Sequence, residues 1–183
     1  MGQKYWIGST VAACRPYRVR QIGYVVHDFD AALASWLAAG VGPWYVLRGV
    51  KFRARYRGEP CEVTLTIGLA NSGDLQVEVI RQDDATPSIY TEFLAGGGEG
   101  FHQLAWWAAD FDSAVRDAQA AGWSVVWAGG EEVGVRFAYV EPPFRLATVF
   151  EISELNDGVS AFNALVRDAA DGWDGSDLVR TLT

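Results

Sequence analysis

The sequence predicts an α+β fold made of two tandem βαβββ modules, and three observations lead there. Half of the 183 residues are hydrophobic and only 21% are charged, enough apolar material for a packed core. The chain also repeats itself. Residues 21–40, QIGYVVHDFDAALASWLAAG, match residues 103–122, QLAWWAADFDSAVRDAQAAG, at a constant offset of 82. Eight of those twenty positions are identical: Gln21/Gln103, Asp28/Asp110, Phe29/Phe111, Asp30/Asp112, Ala32/Ala114, Ala38/Ala120, Ala39/Ala121 and Gly40/Gly122. Self-similarity at a fixed spacing signals repeated structural units, here two. Finally, each copy is followed by three strand-like stretches separated by turn chemistry.

Arg18 to Val26 is apolar, aromatic and β-branched, which suits a strand. Asp28 or Asp30 then supplies a short acceptor to cap a helix. Ala31 to Ala39 is rich in helix formers and sets Leu33, Trp36 and Leu37 on one face. Gly40 stands where a left-handed residue ends the helix. Strands are read at Trp44–Tyr56, Cys61–Ala70 and Leu75–Arg81, broken by Gly58-Glu59-Pro60 and Asn71-Ser72-Gly73-Asp74. Pro87 to Leu94 is a short linking helix, followed by a hinge at Gly96-Gly97-Gly98. The second copy repeats the plan: strand Phe101–Ala108, a cap at Asp110 or Asp112, a helix to Ala121 and a stop at Gly122. Its strands are Ser124–Ala128, Val135–Val140 and Leu146–Ile152, separated by Gly129-Gly130 and Pro142-Pro143. Val159 to Ala170 reads as an amphipathic helix with Phe162, Leu165 and Val166 on one side. A polar tail follows, whose Trp173 and Leu178 are expected to dock on the body or on a second subunit. The organisation is thus a leader at 1–17, modules at 18–95 and 96–154, and a C-terminal helix and tail at 155–183.

Bulk chemistry excludes several classes. With 15 basic against 23 acidic residues the chain carries a formal charge of −8, which repels a polyanion. The basic stretch Lys51, Arg53, Arg55 and Arg57 alternates like one solvated strand face, so no nucleic-acid partner is expected. No apolar run approaches the roughly 20 residues that span a bilayer, so no membrane partner is expected either. Val11-Ala12-Ala13-Cys14 faintly resembles a lipoprotein cleavage box, but the apolar stretch before it is broken by Gly8, Ser9 and Thr10, and a disordered or strand-like leader is the expectation. Two cysteines, Cys14 and Cys61, fit reduced thiols in a cytoplasmic protein. Open sheet edges and the Trp173 tail point to a homodimer. No phosphate loop, CxxC pair, nucleophile elbow or HExxH is present.

Two halves that each begin with a polar residue, an Ile/Leu-Gly/Ala-aromatic run and an Asp-Phe-Asp resemble the vicinal oxygen chelate superfamily of glyoxalases, bleomycin-resistance proteins and extradiol dioxygenases. The likeness spans residues 18–153 and is nearest in character to the methylmalonyl-CoA-epimerase-like branch. It implies a cupped mixed sheet around one central cavity, with ligands from the first and last strands of each module. Carried over position by position, these are Gln21 and Gln103 on the first strands and Glu78 and Glu151 on the last. Metal-using relatives usually have His at both first-strand positions, where this chain has Gln. The all-oxygen set Gln21, Glu78, Gln103, Glu151 suits a divalent ion such as Mg²⁺ or Mn²⁺ better than zinc, with iron a further choice and a metal-free site equally open. His102 stands beside Gln103, and strand alternation sends it to the opposite face unless the strand bulges.

A polar side chain among apolar strand neighbours points into a cavity or forms a buried pair. Glu78 and Glu151 are therefore the candidate catalytic groups. Facing each other in an apolar cup they would repel, keep a proton, and serve as general acid and base. The alternative is that each pairs with an arginine, such as Arg81 or Arg145. Gln21 and Gln103 are read as metal ligands, as substrate hydrogen-bond donors, or as a seam between the modules. His27, at a strand end, reads as exposed. With 8 Trp, 7 Tyr and 9 Phe, some rings should line the cavity. Trp107, Phe137 and Tyr139 are the candidates for substrate contact. The expected function is isomerase, epimerase or lyase chemistry on a small carbonyl-bearing, apolar or aromatic substrate. The alternative is a non-catalytic binder of the bleomycin-resistance type. A ring-cleaving dioxygenase is disfavoured, because its iron site needs two histidines where this chain has glutamines.

Overall fold

The computed structural model describes residues 18–143 and 149–182. The leader with Cys14, and Arg145 in the segment before the last strand of the second module, lie outside the described residues. The first module runs β1 (Gln21–Val25), α1 (Phe29–Ala38), β2 (Trp44–Tyr56), β3 (Glu59–Ser72) and β4 (Leu75–Gln82). A linking helix α2 (Ile89–Ala95) leads to β5 (Gly100–Ala108), α3 (Phe111–Ala120), β6 (Ser124–Gly129), β7 (Phe137–Glu141) and β8 (Val149–Glu154). Then come α4 (Asp157–Ala170) and a short strand β9 (Val179–Thr181). No helix among the described residues is long and apolar enough to cross a membrane.

Local chemistry sets the helix ends. Asp28 accepts from the Ala31 N–H and Asp110 from the Ser113 N–H, so the earlier aspartate of each Asp-Phe-Asp is the cap. The later ones pair with arginines instead, Asp30 with Arg48 and Asp112 with Arg136. Gly40 and Gly122 follow the two helices at φ +81° and +83°, a conformation that costs glycine least. Ser88 caps α2 in a reciprocal arrangement with Thr91.

The strands close on themselves. The order is β3-β4-β1-β5-β8-β7-β6-β2, and β2 pairs back with β3 to complete an eight-stranded ring. β1 lies parallel to β4 and β5 parallel to β8, while β1 and β5 meet antiparallel. The two modules are thus joined at that seam and again where β2 meets β6. β9 occupies the rest of the β2 edge, pairing Trp44–Val46 in parallel with Val179–Thr181. This strand was not expected from the residues alone.

Alternation along β4 and β8 divides inside from outside. Val77 and Val79 face outward into the core under α1, with Phe29, Leu33 and Trp44. Ile152, with Phe150 and Trp106 packed beside it, faces outward under α3. The ring interior holds a third core, where Ile89 and Tyr90 of α2 pack among Val25, Leu65, Ile80 and Trp127. α2 therefore fills one part of the barrel, and the space it leaves becomes the site. On α4, Val166 is buried and Phe162 turns inward, but Leu165 is 51% exposed. The expected apolar stripe of that helix is narrower than the sequence suggested, because only a few of its residues reach the barrel.

Candidate active site

The interior face of the ring encloses a cavity of about 440 Å³. Glu78 enters it from β4 and Glu151 from β8, the equivalent strands of the two modules. Gln21 on β1, Trp107 on β5 and Phe137 and Tyr139 on β7 also line it. Trp106 is turned the other way, toward Trp123 and Phe150 beneath α3. An aliphatic stretch of wall runs from Leu47 and Val50 on β2 to Leu65, Ile67 and Leu69 on β3.

Gln103 is completely buried and organises the polar end. Its Nε2 donates to Glu78 Oε2 at 3.1 Å and to the Tyr139 hydroxyl at 3.1 Å. Its Oε1 accepts from His102 Nδ1 at 2.5 Å. An amide oxygen can only accept, so the imidazole carries its proton on Nδ1. The Tyr139 hydroxyl in turn lies 3.1 Å from that of Tyr90. Space for the Gln103 amide comes from Gly23 on the neighbouring strand, where a Cβ would stand 2.2 Å from Gln103 Cδ.

His102 corrects a sequence expectation. Alternation placed it opposite Gln103, yet both side chains turn inward. The β1–β5 register explains this: Gly23 faces Gln103 and Tyr24 faces Phe101, so His102 is the extra residue of a bulge. A bulge leaves one residue unpaired and re-aims its side chain. The ring rests on Phe93 of α2, with centroids 4.8 Å apart, and near Tyr90 and Tyr139. Sequence reasoning missed Tyr90 altogether. Its position on the linking helix carries no signal that the helix enters the barrel.

Gln21 plays a different part from its repeat partner. Its Nε2 donates to Gln76 Oε1 at 2.9 Å, and Gln76 Nε2 donates to Asn163 Oδ1 of α4 at 3.2 Å. This ladder ties the barrel wall to the C-terminal helix. Arg81 does not pair with Glu78, since its guanidinium bonds Asp83. His27 is exposed at the end of β1, as the sequence suggested.

Electrostatics follow from burial. Glu151 is 7% exposed, and its Oε2 has no hydrogen-bond partner among the described residues. Glu78 is partly accessible and borders the cavity. Burial raises the Glu78 carboxyl well above its ordinary range, the Glu151 charge raises it further, and the Gln103 hydrogen bond pulls it back. Burial pushes Glu151 up to about 7 against the opposing pull of Tyr139 and Gln103. Two carboxyls facing one apolar space without a cation thus retain a proton between them at neutral pH. His102 moves the other way. Burial lowers it to about 4 despite the Gln103 contact, so the imidazole is neutral. Tyr139 is held well above its usual range by burial and by the Glu151 charge, and it remains a hydroxyl donor.

A divalent metal is implied by the sequence resemblance, and the donor set tests it. Among the described residues no three His, Cys, Asp or Glu side chains converge as a metal site would require. Gln103 is committed, its oxygen to His102 and its N–H groups to Glu78 and Tyr139. Glu78, Glu151 and the Gln21 oxygen remain, which as arranged do not complete a four-donor site.

The ring of two βαβββ modules is the architecture of a known superfamily. The family model for the Glyoxalase/Bleomycin resistance protein/Dioxygenase superfamily matches residues 20–139, and the chain belongs to that superfamily. Solved structures agree on the fold. A hypothetical protein of Bacillus halodurans C-125 superposes with a TM-score of 0.58 at 15% identity, covering 78% of this chain and 97% of that one. A Streptomyces coelicolor methylmalonyl-CoA epimerase in complex with 2-nitronate-propionyl-CoA gives 0.54 at 20% identity, covering 77% and 96%. The Mycobacterium tuberculosis methylmalonyl-CoA epimerase gives 0.54 at 19%, covering 78% and 91%. Comparison with curated proteins found no match.

Proposed function

We propose that this protein catalyses proton transfer at a carbon next to a carbonyl group, in the manner of an isomerase, epimerase or lyase. One observation carries the reading. Two buried carboxyls from equivalent strands face a single apolar cavity with no cation beside them among the described residues. Groups whose surroundings hold one proton between two carboxyls supply a base and an acid at the same pH. In the proposed step the ionised member removes the proton from carbon, and the electron pair moves onto the carbonyl oxygen to form an enolate. The protonated member returns a proton, to the opposite face for epimerisation or to a different atom for isomerisation. The Tyr139 hydroxyl, kept protonated, is the neutral donor available to the enolate oxygen. Gln103 holds Glu78 and Tyr139 in place, and His102 holds Gln103. The similarity to methylmalonyl-CoA epimerases supports this class of chemistry without naming a substrate.

The test reads proton abstraction without knowing the product. The protein is incubated in D₂O with a panel of enolisable carbonyl compounds, and deuterium at the α-carbon is followed by mass spectrometry. Exchange on at least one compound, lost in the Glu78→Gln, Glu151→Gln double variant, is the expected result. Exchange that survives the double variant would remove the carboxyl pair from the chemistry. A second reading, a non-catalytic sequestering protein, is favoured by the aromatic and aliphatic lining. It predicts stoichiometric quenching of tryptophan fluorescence with no exchange on any bound compound.

A further inference from the structure

We propose that the C-terminal segment 155–182 is the specificity element of this site, closing the cavity around a compact, uncharged, ring-bearing ketone and excluding ligands with a carboxylate or phosphate handle. The inference builds on the carbon-acid reading for the carbonyl group, and on separate observations for everything else. α4 adds to the wall that the strands supply, sending Val159, Phe162 and Asn163 into the cavity, and Leu182 reaches the same space from beyond β9. The family match ends at residue 139, so this wall lies outside the matched span.

The segment is tied down along its length. Asn156 Nδ2 donates to the Gly134 carbonyl at 2.8 Å, at the start of α4. Gln76 holds Asn163 in the middle of the helix. Beyond it, β9 adds to β2, and Arg180 Nη1 donates to the Tyr45 hydroxyl at 2.8 Å. The Tyr45 ring meets Phe162 edge-on at 6.1 Å, linking the strand anchor to the cavity wall. A wall fixed at both ends favours a ligand that fits inside over one that must thread past it.

Charge sets the second half of the selection. The described lining contains no Lys, Arg or His, and its two ionisable carboxyls are already under mutual repulsion. A ligand carboxylate or phosphate would bring further negative charge into the same apolar space without a counter-ion. Arg20 and Arg167 border a separate pocket behind Trp107 and Asn163, shared with Asp74. Trp107 and Asn163 border both spaces, and neither arginine lines the main cavity. The aromatic side chains Tyr90, Trp107, Phe137 and Phe162 instead offer ring contacts to a planar neutral guest.

The experiment is fluorescence titration of the full chain with propiophenone, 1-indanone and 2-indanone, against 3-benzoylpropionate and methylmalonyl-CoA. The neutral ketones should bind at least about tenfold tighter than either anion. Phe162→Ala should weaken ketone binding, and Phe162→Arg, which places a cation in the wall, should shift the preference toward 3-benzoylpropionate. Tighter binding of an anion by the wild type, no binding of any neutral ketone, or unchanged ketone affinity in Phe162→Ala would each overturn the proposal. The outcome is separable from the catalytic reading. Selective ketone binding without deuterium exchange leaves the specificity element standing and removes the chemistry. Exchange on the anionic compounds alone does the reverse.

Discussion

Gly23→Ala probes the site through a residue that takes no part in the chemistry. Gly23 lies in β1 without a positive φ, so alanine suits its backbone. The added methyl, however, would stand 2.2 Å from Gln103 Cδ and Nε2 and 2.7 Å from Oε1. Gln103 must leave, and with it the bonds to Glu78, Tyr139 and His102. Crowding in a packed interior costs about 1–3 kcal/mol. A buried polar group left unpaired adds about 1–3 kcal/mol. Together these predict a loss of about 2–6 kcal/mol, or roughly 4–24 °C in Tm for a chain of this size. Thermal unfolding followed by circular dichroism measures it, with Gln103→Ala and the double variant completing a cycle. If the reasoning is right, Gly23→Ala costs little once Gln103 is gone. A wild-type Tm for Gly23→Ala, or the same loss in both backgrounds, would refute it.

The carboxyl pair and His102 impose opposite pH dependences on stability. The carboxyls are raised above their unfolded values near 4.3, so the folded state binds more protons, and their contribution declines as pH rises from about 4.5 to about 7 and beyond. His102 is lowered to about 4 from about 6.5, so the unfolded state binds more protons, and stability falls as pH drops through that window. Chemical denaturation from pH 4 to 8 should therefore show a shallow wild-type profile. Glu151→Gln should lose stability on acidification and gain up to about 3 kcal/mol over wild type at pH 8. Tyr139→Phe removes the hydroxyl that meets Gln103 and Tyr90, and should cost about 1–3 kcal/mol in urea melts while leaving the fold intact by circular dichroism.

Much of this arrangement can be read from the residues. The repeat at 21–40 and 103–122 carries the doubling, and the Asp-Phe-Asp triplets mark where each helix begins. Glu78 and Glu151 stand out because a charged residue interrupts an otherwise apolar strand in both modules, and alternation then sets them on the face opposite Val79 and Ile152. What was not legible depends on contacts between distant segments. Phe101-His102-Gln103 reads as plain alternation, and only the pairing of β5 with β1 shows the bulge that turns His102 inward. Tyr90 looks like any helical aromatic until α2 is packed into the ring. β9 is three residues long, below what local propensity can signal, and exists because the edge of β2 is open beside β6. Gly23 resembles a weak point in a strand, and its purpose appears only when Gln103 is seen folded across it.

The most direct test of the account is to titrate the carboxyls themselves, using protein labelled with ¹³C at the glutamate side-chain carboxyl and followed by NMR from pH 4 to 9. At least one glutamate resonance should remain protonated into the neutral range. It should vanish in the variant that replaces its own residue and shift its titration when the other carboxyl is replaced, because each responds to the charge of the other. If every glutamate titrates near its ordinary value of about 4.3, the pair holds no proton at neutral pH, and the proposed acid and base have no physical basis.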